Sequence, residues 1–494
     1  MHLRSALALT SCLAVAAALA STPAQADAPA DAPNPGPVVV STAAAEQALD
    51  QVQDIVAGAS NRDLTLALRD LRSNRSGLAG ADKVQADRLL QRPSTDHQRD
   101  FDTVRVHWNT GVATSAYANK VGKIADHVLE AYAAAGYRSP ESDGTNGGNS
   151  LLDIYLQDLG SQGLYGYCDS DSPPSGTGPF DAPAYCAFDN DYREFPTHTP
   201  IENLEVTAAH ELFHAVQFAY DYYEDGWFME ATATWAEDEL YDDVNDNVQY
   251  LRDSPLAQPR ESMDHFGGLR QYGDWIFFRY LTEREPEAEG GLPTLIRDIW
   301  ELADGAKGGA DEYSIQAVSD ALAARGTGLR STWARFAAAN RRPGSTYDEG
   351  AANDYPAAPL TSTTALTGSN RGSGTVTRSL NHLSAKTLRF TRADRMSASE
   401  LKIDLDLPST NRGSGAVATV YRSSGRPRTV PIRLGSDGNA VTRLDFTRGV
   451  TAVDVTLANG GIGYGNCWAG TDWSCQGRSK DDNLKFRLRV TAVR

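Results

Sequence analysis

Apolar side chains recur at steps of three and four along residues 206–220, which is the spacing of an amphipathic helix. Val206, Phe213 and Val216 lie on one stripe of this predicted helix, and His210 and His214 follow its edge. The pattern therefore predicts a helix that packs one side into the core and turns two histidines toward a cleft.

The chain around this helix is predicted to mix strands and helices. Alternating apolar and polar residues predict strands at 101–108, 151–158 and 185–189. Helical periodicity is found at 43–90, 115–135, 227–237, 268–280, 292–302, 312–324 and 329–340. These elements indicate an α+β fold, in which a twisted sheet packs with the helix at 206–220 and is followed by a helical lower half.

From Thr361 the pattern changes to short alternating segments rich in Thr, Val and Arg, with Gly and Ser between them. Strands are predicted at 384–390, 401–407, 416–421, 440–446, 452–457 and 484–490. This many short strands in succession predict an all-β sandwich domain at 361–494.

The net charge of −18 is unevenly distributed. Residues 361–494 hold 20 Lys and Arg against 10 Asp and Glu, a balance of +10, so residues 1–360 carry −28. This asymmetry, together with the Pro-rich stretch 356–359, predicts a domain boundary near 356–361. The acidic front part argues against nucleic acid as a partner, because phosphates repel carboxylates.

Residues 1–26 have the layout of a secretory signal peptide, with Arg4, an apolar run at 6–20 and a small-residue cleavage site at 24–26. No later apolar run is long enough to span a membrane. We therefore expect a secreted, extracellular protein.

Four cysteines follow the predicted signal peptide, an even number that predicts two disulfides in an oxidising compartment. Four cysteines allow three pairings. The spacing favours two local bridges, Cys168 to Cys186 and Cys467 to Cys475.

The sequence His210-Glu211-Leu212-Phe213-His214 matches H-E-x-x-H. Residues four apart share one helical face, so the two histidines can bind one metal ion while Glu211 acts as general base on a water. A catalytic zinc needs a third protein ligand.

Acidic candidates for that ligand follow the helix: Asp221, Glu224, Asp225, Glu230 and Glu237. Glu224 and Asp225 lie in a predicted turn and are expected to be exposed. Glu230 stands among aromatic and small residues, where a carboxylate must be paired or metal-bound. We therefore favour Glu230 over Glu237.

HELFH at 210–214 followed by WFMEATATW at 227–235 resembles the gluzincin metallopeptidases, most of all the secreted bacterial peptidase-MA-like and collagenase-like branches. In that group a glutamate on a second helix is the third zinc ligand, and the resemblance assigns this role to Glu230. It implies a zincin-like catalytic domain at 96–355, with the strand before the active-site helix at the sheet edge above the zinc. An exposed edge there would bind a peptide by strand addition.

The resemblance also implies supporting roles for residues further along the chain. Glu237 would orient a ligating histidine. Tyr272, or alternatively His265, would donate to the developing oxyanion. The Gly-x-Met-Glu-Asn motif of related aminopeptidases is absent, which argues against an exopeptidase.

Together these features predict a secreted zinc-dependent endopeptidase acting on protein or peptide substrates. One alternative is a secreted binding protein on an inactive zincin scaffold, with the basic β-domain binding wall polymer, polysaccharide or protein. Another is hydrolysis of a non-peptide amide. The sequence carries no signal for the oligomeric state.

Three regions keep two interpretations each. Residues 27–95 are either a propeptide that shields the site or an N-terminal helical cap. The acidic residues at 221–247 either bind Ca²⁺ or form a solvated face, and the lack of a 12-residue calcium-loop pattern favours the face. The β-domain either docks to anionic polymer or substrate, or assists folding.

Overall fold

The computed structural model describes residues 40–60, 63–174 and 178–494, which belong to one compact unit. The predicted signal peptide at 1–26 lies outside these ranges. Within them the α-helices are α1 Thr42–Val56, α2 Leu64–Asn74, α3 Gly80–Leu89, α4 Ser115–Ala134, α5 Pro200–Phe218, α6 Gly226–Leu240, α7 Arg270–Gly273, α8 Trp275–Thr282, α9 Thr294–Leu302, α10 Ser314–Ala324 and α11 Leu329–Ala339.

The strands fall into an N-terminal and a C-terminal set. The first set is β1 His97–Asp100, β2 Val104–Trp108, β3 Leu152–Gln157, β4 Gly166–Asp169, β5 Tyr185–Asp189, β6 Ala288–Glu289 and β7 Leu292–Pro293. The second set is β8 Ser362–Leu366, β9 Gly372–Leu380, β10 Ser384–Arg392, β11 Glu400–Asp406, β12 Ser414–Arg422, β13 Arg428–Pro431, β14 Asn439–Asp445, β15 Val450–Asn459, β16 Tyr464–Gly465, β17 Arg478–Ser479 and β18 Leu484–Val493.

The N-terminal sheet has the order β1-β2-β3-β5-β4. Its three middle strands are parallel, and β1 and β4 are antiparallel edge strands. The expectation that the strand before the active-site helix lies at the sheet edge is wrong, because β4 pairs along β5 and takes that position. A disulfide joins the two strands at the opposed residues Cys168 and Cys186, as expected.

Helices α4 and α5 cover one face of this sheet. Val106 and Ile154 from the strands pack with Val121 of α4 and Ala208 of α5 in the main hydrophobic core. All four side chains are fully buried, and burial of apolar area at roughly 25 cal/mol per Å² is the dominant favourable term in folding. The sheet thereby fixes the position of α5, which carries the H-E-x-x-H sequence.

Helix α5 begins with a complete capping box. Thr199 accepts a hydrogen bond from the backbone N–H of Glu202, and the Glu202 carboxylate accepts one from the Thr199 N–H. Pro200 occupies the first helical position, where its missing N–H costs nothing. The start of α5, and with it the angular position of the histidines, is fixed by local sequence.

Helices α6 to α11 form the helical lower half. The predicted helix at 268–280 is instead two helices, α7 and α8, which meet at Asp274.

The acidic residues of 221–247 were expected to form a solvated face, and for most of them this is wrong. Asp221, Glu224, Asp225, Glu237, Asp238 and Asp246 are buried.

Glu224 and Asp225 are buried because distant parts of the chain satisfy them. Glu224 Oε1 accepts a hydrogen bond from the Ser314 N–H at 3.1 Å. Asp225 Oδ2 accepts hydrogen bonds from the Ser314 hydroxyl at 2.6 Å and the Cys475 N–H at 2.7 Å. The turn is therefore polar in sequence but interior in the fold.

The C-terminal strands form the predicted sandwich from two sheets, β13-β12-β15-β10-β8 and β14-β11-β18-β9. Side chains from both sheets, including Ile403, Val455 and Phe486, share one core. All six predicted strands are present, and β8, β9 and β13 complete the sheets. Cys467 and Cys475 form the second disulfide.

Residues on both sides of the predicted boundary near 356–361 also share the main core. Leu383, Ala385 and Val417 belong to it, and the Trp333 indole N–H of α11 donates to the Ser384 carbonyl at 3.3 Å.

Over the described part of the chain, no helix has the length and apolar character needed to cross a membrane.

Candidate metal centre

Helices α5 and α6 bring His210, His214 and Glu230 together in the interior. The two Nε2 atoms lie 3.1 Å apart, and the Glu230 carboxylate oxygens lie 3.3 Å from His210 Nε2 and 3.5 Å from His214 Nε2. Zinc–ligand bonds of about 2.0–2.1 Å at tetrahedral angles separate neighbouring ligand atoms by about 3.3 Å. The three side chains therefore match the spacing of three corners of a zinc site.

The outer nitrogens of both rings are held by buried acceptors. His210 Nδ1 lies 2.6 Å from Glu237 Oε1, and His214 Nδ1 lies 2.7 Å from Gln217 Oε1. Because carboxylate and amide oxygens accept, we assign the ring proton to Nδ1 in both histidines. Both Nε2 atoms then face the same point, where their lone pairs could bind one cation.

Gln217 is a functional residue that the sequence reasoning missed. Its amide N–H₂ donates to the Met229 carbonyl at 2.9 Å and to Thr232 Oγ1 at 3.1 Å, so it also joins α5 to α6. Its position in the sequence could have identified it, because Gln217 lies three residues after His214 in an otherwise apolar helix. An amide buried there needs hydrogen-bond partners.

Glu230 provides the test of whether the site fits a metal. It is fully buried, and neither carboxylate oxygen has a hydrogen-bond donor in the described structure. Burial, with repulsion from Asp63, raises its pKa to about 8. A buried carboxylate without donors is costly, and a cation at the point faced by His210 and His214 would satisfy it.

The two histidines differ in their affinity for protons. Burial opposes the charged form of both rings, but the nearby carboxylates of Glu230 and Glu237 raise the pKa of His210 well above its usual value. Burial and the nearby charge of His210 lower the pKa of His214 well below its usual value.

Glu211 lies next to the ligands with its carboxyl group buried, and the Thr65 hydroxyl donates to its Oε2 at 3.3 Å. Burial raises the pKa of Glu211 well above its usual value, against the attraction of His210. Gly166 of β4 lies directly over this residue, because a Cβ at Gly166 would come within 3.0 Å of Glu211 Cγ. The edge strand and the predicted base are therefore adjacent.

Tyr272 on α7 is placed at the same site. Its ring centre lies 6.1 Å from that of His210 and 5.0 Å from that of Tyr250, on which it stacks. The alternative, His265, packs its ring against Trp473 at 4.7 Å. Of the two candidates for the oxyanion donor, Tyr272 is the one in contact with a predicted ligand.

Two other acidic groups have the spacing of metal ligands: Asp189, Asp191 and Glu194, and Asp238, Asp242 and Glu349. The Asp189 carboxylate accepts from four backbone N–H groups, those of Leu159, Gly160, Asp191 and Tyr192. Arg279 forms ion pairs with Asp238 and Asp242. Asp189, Asp238 and Asp242 thus have protein partners, and calcium binding at these two groups stays a prediction.

Comparison with known proteins gives little further information. No family model matches the sequence, and no curated protein matches it. Among solved structures, the pre-peptidase C-terminal domain of a collagenase from Bacillus anthracis is similar over 27% of this chain and 97% of its own, with 11% identity and a TM-score of 0.17. A TM-score of this size does not establish a shared fold.

Proposed function

We propose that the protein is a secreted, zinc-dependent endopeptidase with a gluzincin-like site. Its ligands are His210, His214 and Glu230, and Glu211 is the general base. The observation that carries the proposal is the spacing of the candidate ligand atoms: the two Nε2 atoms lie 3.1 Å apart, and the two Glu230 oxygens lie 3.3 Å from His210 Nε2 and 3.5 Å from His214 Nε2. Within the described part of the chain, neither oxygen of this buried carboxylate has a hydrogen-bond donor. Two nitrogens and one carboxylate oxygen are a donor set typical of catalytic zinc.

A zinc ion bound by these residues would supply the Lewis acidity that lowers the pKa of a water and polarises a carbonyl. Glu211 is positioned to take the proton from that water and return it to the leaving amine. Glu237 and Gln217 hold the ring orientations of His210 and His214. Tyr272 stabilises the oxygen on which negative charge develops.

The polypeptide nature of the substrate is supported by the edge strand. β4 lies over Glu211 and is an edge strand of its sheet, so an extended peptide that paired with it would pass the site in a defined direction. Secretion is supported by the two disulfides, which persist in oxidising compartments. The basic sandwich is proposed to contact anionic polymer or substrate.

The decisive experiment compares the wild type with Glu211→Gln. We expect one zinc per chain in both proteins, chelator-sensitive cleavage of casein by the wild type, and a loss of about 10³-fold in the variant. Glu205→Gln is the matched control, because Glu205 lies on the same helix but is partly exposed and away from the ligands.

Two results would refute the proposal. One is a Glu211→Gln protein that cleaves casein as fast as the wild type. The other is zinc binding that persists unchanged in His210→Ala. Stoichiometric zinc in a chain that cleaves no peptide after the N-terminal region is opened would favour the alternative of a binding protein on an inactive scaffold.

A further inference from the structure

The N-terminal helices reach into the site that the proposed function uses. Asp63 caps α2 by accepting from the Leu66 N–H at 2.9 Å. Two residues on, the Thr65 hydroxyl donates to Glu211 Oε2 at 3.3 Å and accepts from the Cys168 N–H at 3.0 Å. The first turn of α2 therefore contacts both the predicted general base and the edge strand.

Asp63 faces the same cluster. Its carboxylate interacts electrostatically with His210, Glu211, Glu230 and Tyr272. One of its oxygens is used by the helix cap. This acidic residue thus comes from the N-terminal region and begins the helical turn that contacts Glu211.

The outer side of β4 is also occupied. The Cys168 N–H, which a peptide added to the sheet would use, is bonded to Thr65. At the end of the strand, Arg72 of α2 pairs with the Asp169 carboxylate, with Nε–Oδ1 at 2.8 Å and Nη2–Oδ2 at 2.5 Å. A peptide cannot pair with β4 while α2 lies there.

A third contact holds α2 beside the start of α6. Arg69 Nη1 donates to the carbonyl of Tyr222 at 3.3 Å and to that of Glu224 at 2.8 Å. Both carbonyls belong to the turn between the two ligand-bearing helices. Helix α2 is therefore bonded both to β4 and to the turn before α6.

The packing of this region shows that it is separable from the rest. Helices α1 to α3 have a hydrophobic core of their own, including Leu49, Val52, Leu68 and Leu71, and only Leu66 among their residues joins the main core. Thr65, Arg69 and Arg72 make polar contacts with the rest of the chain, and Leu164 and Tyr167 pack against the small core from outside it. Departure of the segment would therefore leave the main core nearly intact.

We infer that residues 40–90 are an inhibitory segment, in which the first turn of α2 occupies the substrate position between β4 and Glu211 and keeps the site closed until the segment is displaced. The inference rests on the proposed function, and it decides between the two interpretations of the N-terminal region in favour of a propeptide. The Thr65 hydroxyl takes the place of a substrate backbone group on β4, and Asp63 caps the helical turn that holds this hydroxyl there.

The test uses the full-length, zinc-loaded chain carrying Asp63→Ser together with Thr65→Val. Serine retains the helix cap and valine retains the volume, so the pair removes the carboxylate and the hydroxyl from the cleft without deleting the segment. Ser41→Ala is the matched control, because it removes the N-cap of α1 in the same segment, at a position with no contact to the ligands.

Two rates are measured. The first is zinc transfer to the chelator 4-(2-pyridylazo)resorcinol, and the second is kcat/KM on an internally quenched peptide. We expect the double variant to exceed the wild type about tenfold or more in both, which is the effect of losing about 1.4 kcal/mol of contact energy, and Ser41→Ala to stay within about twofold. Rates in the double variant equal to those of Ser41→Ala would overturn the inference.

The two readouts separate this inference from the proposed function. Faster zinc transfer without hydrolysis in any variant would support the closed site and refute the peptidase. Hydrolysis by the wild type, with both rates unaffected by the double variant, would leave the peptidase in place and overturn the inhibitory segment. Adding Glu211→Gln to the double variant should abolish hydrolysis and keep the faster zinc transfer.

Discussion

Glu237 gives the sharpest test of how the site is held. Its Oε1 lies 2.6 Å from His210 Nδ1, and its side chain is only 7% exposed. A hydrogen bond to a charged group contributes about 1.5–3 kcal/mol, and loss of a partner behind a metal ligand costs about 10–100-fold in metal affinity. The two ranges agree, since tenfold corresponds to about 1.4 kcal/mol.

We therefore expect Glu237→Gln, which keeps an acceptor but loses the charge, to weaken zinc binding by about tenfold. Glu237→Ala, which loses both, should weaken it by about 100-fold. Zinc affinity is measured by competition with a chelator of known affinity, and hydrolysis should fall only where zinc is lost.

The matched control is Glu239→Gln on the same helix. Glu239 is also largely buried, and its partner is Arg279, with Nη1–Oε1 at 3.3 Å, so its loss affects stability but not the ligands. We expect zinc affinity within about threefold of the wild type, because only residues that hold a ligand change metal affinity. A Glu237→Ala protein with wild-type zinc affinity would refute the assignment of Glu237 as the residue that orients His210.

Three further outcomes are expected. Tyr272→Phe should retain one zinc per chain and lower kcat by about 10²-fold, and an unchanged kcat would remove Tyr272 from the site. Burial opposes the charged form of His382, but the carboxylates of Asp264 and Asp482 outweigh this effect and raise its pKa to about 10. The charged imidazole therefore stabilises the fold fully below about pH 6.5, the pKa in the unfolded chain. This stabilisation is lost as pH rises through about 10. Urea unfolding should show a steeper loss of stability between about pH 6.5 and about pH 10 in the wild type than in His382→Gln, and parallel pH profiles would contradict this. Replacing Cys168 and Cys186 by Ser removes a disulfide between residues separated by 18 positions. Denaturant titration should show a free energy of unfolding lower by about 3 kcal/mol, and an unchanged value would show that the disulfide does not stabilise the fold.

The parts of the site that could be predicted are those encoded by local spacing. His210 and His214 share a helical face because they are four residues apart, and α5 forms where its periodicity and capping box place it. Glu230 was identifiable because a carboxylate within an apolar helix needs a partner. Each of these patterns involves residues of a single helix, so it can be recognised from neighbouring positions in the sequence.

The parts that could not be predicted depend on distant contacts. β4 has four residues, too few for alternation to be recognised, and its pairing with β5 moved the sheet edge. Thr65 reaches Glu211 across 146 positions. No local pattern reports such a contact, because it arises only when the helix and the sheet are packed.

Residues C-terminal to the predicted boundary at 356–361 help to hold the candidate metal centre. The Cys475 N–H donates to Asp225, which precedes α6, and the Trp227 indole N–H of that helix donates to Ser474 Oγ at 3.1 Å. Ser474 is in turn bonded to Asp264, which pairs with His382. Because α6 carries Glu230, the position of the third ligand depends on this buried polar network. The β-sandwich is thus a structural support of the site, whatever else it binds, and this is why the acids at the start of α6 are interior.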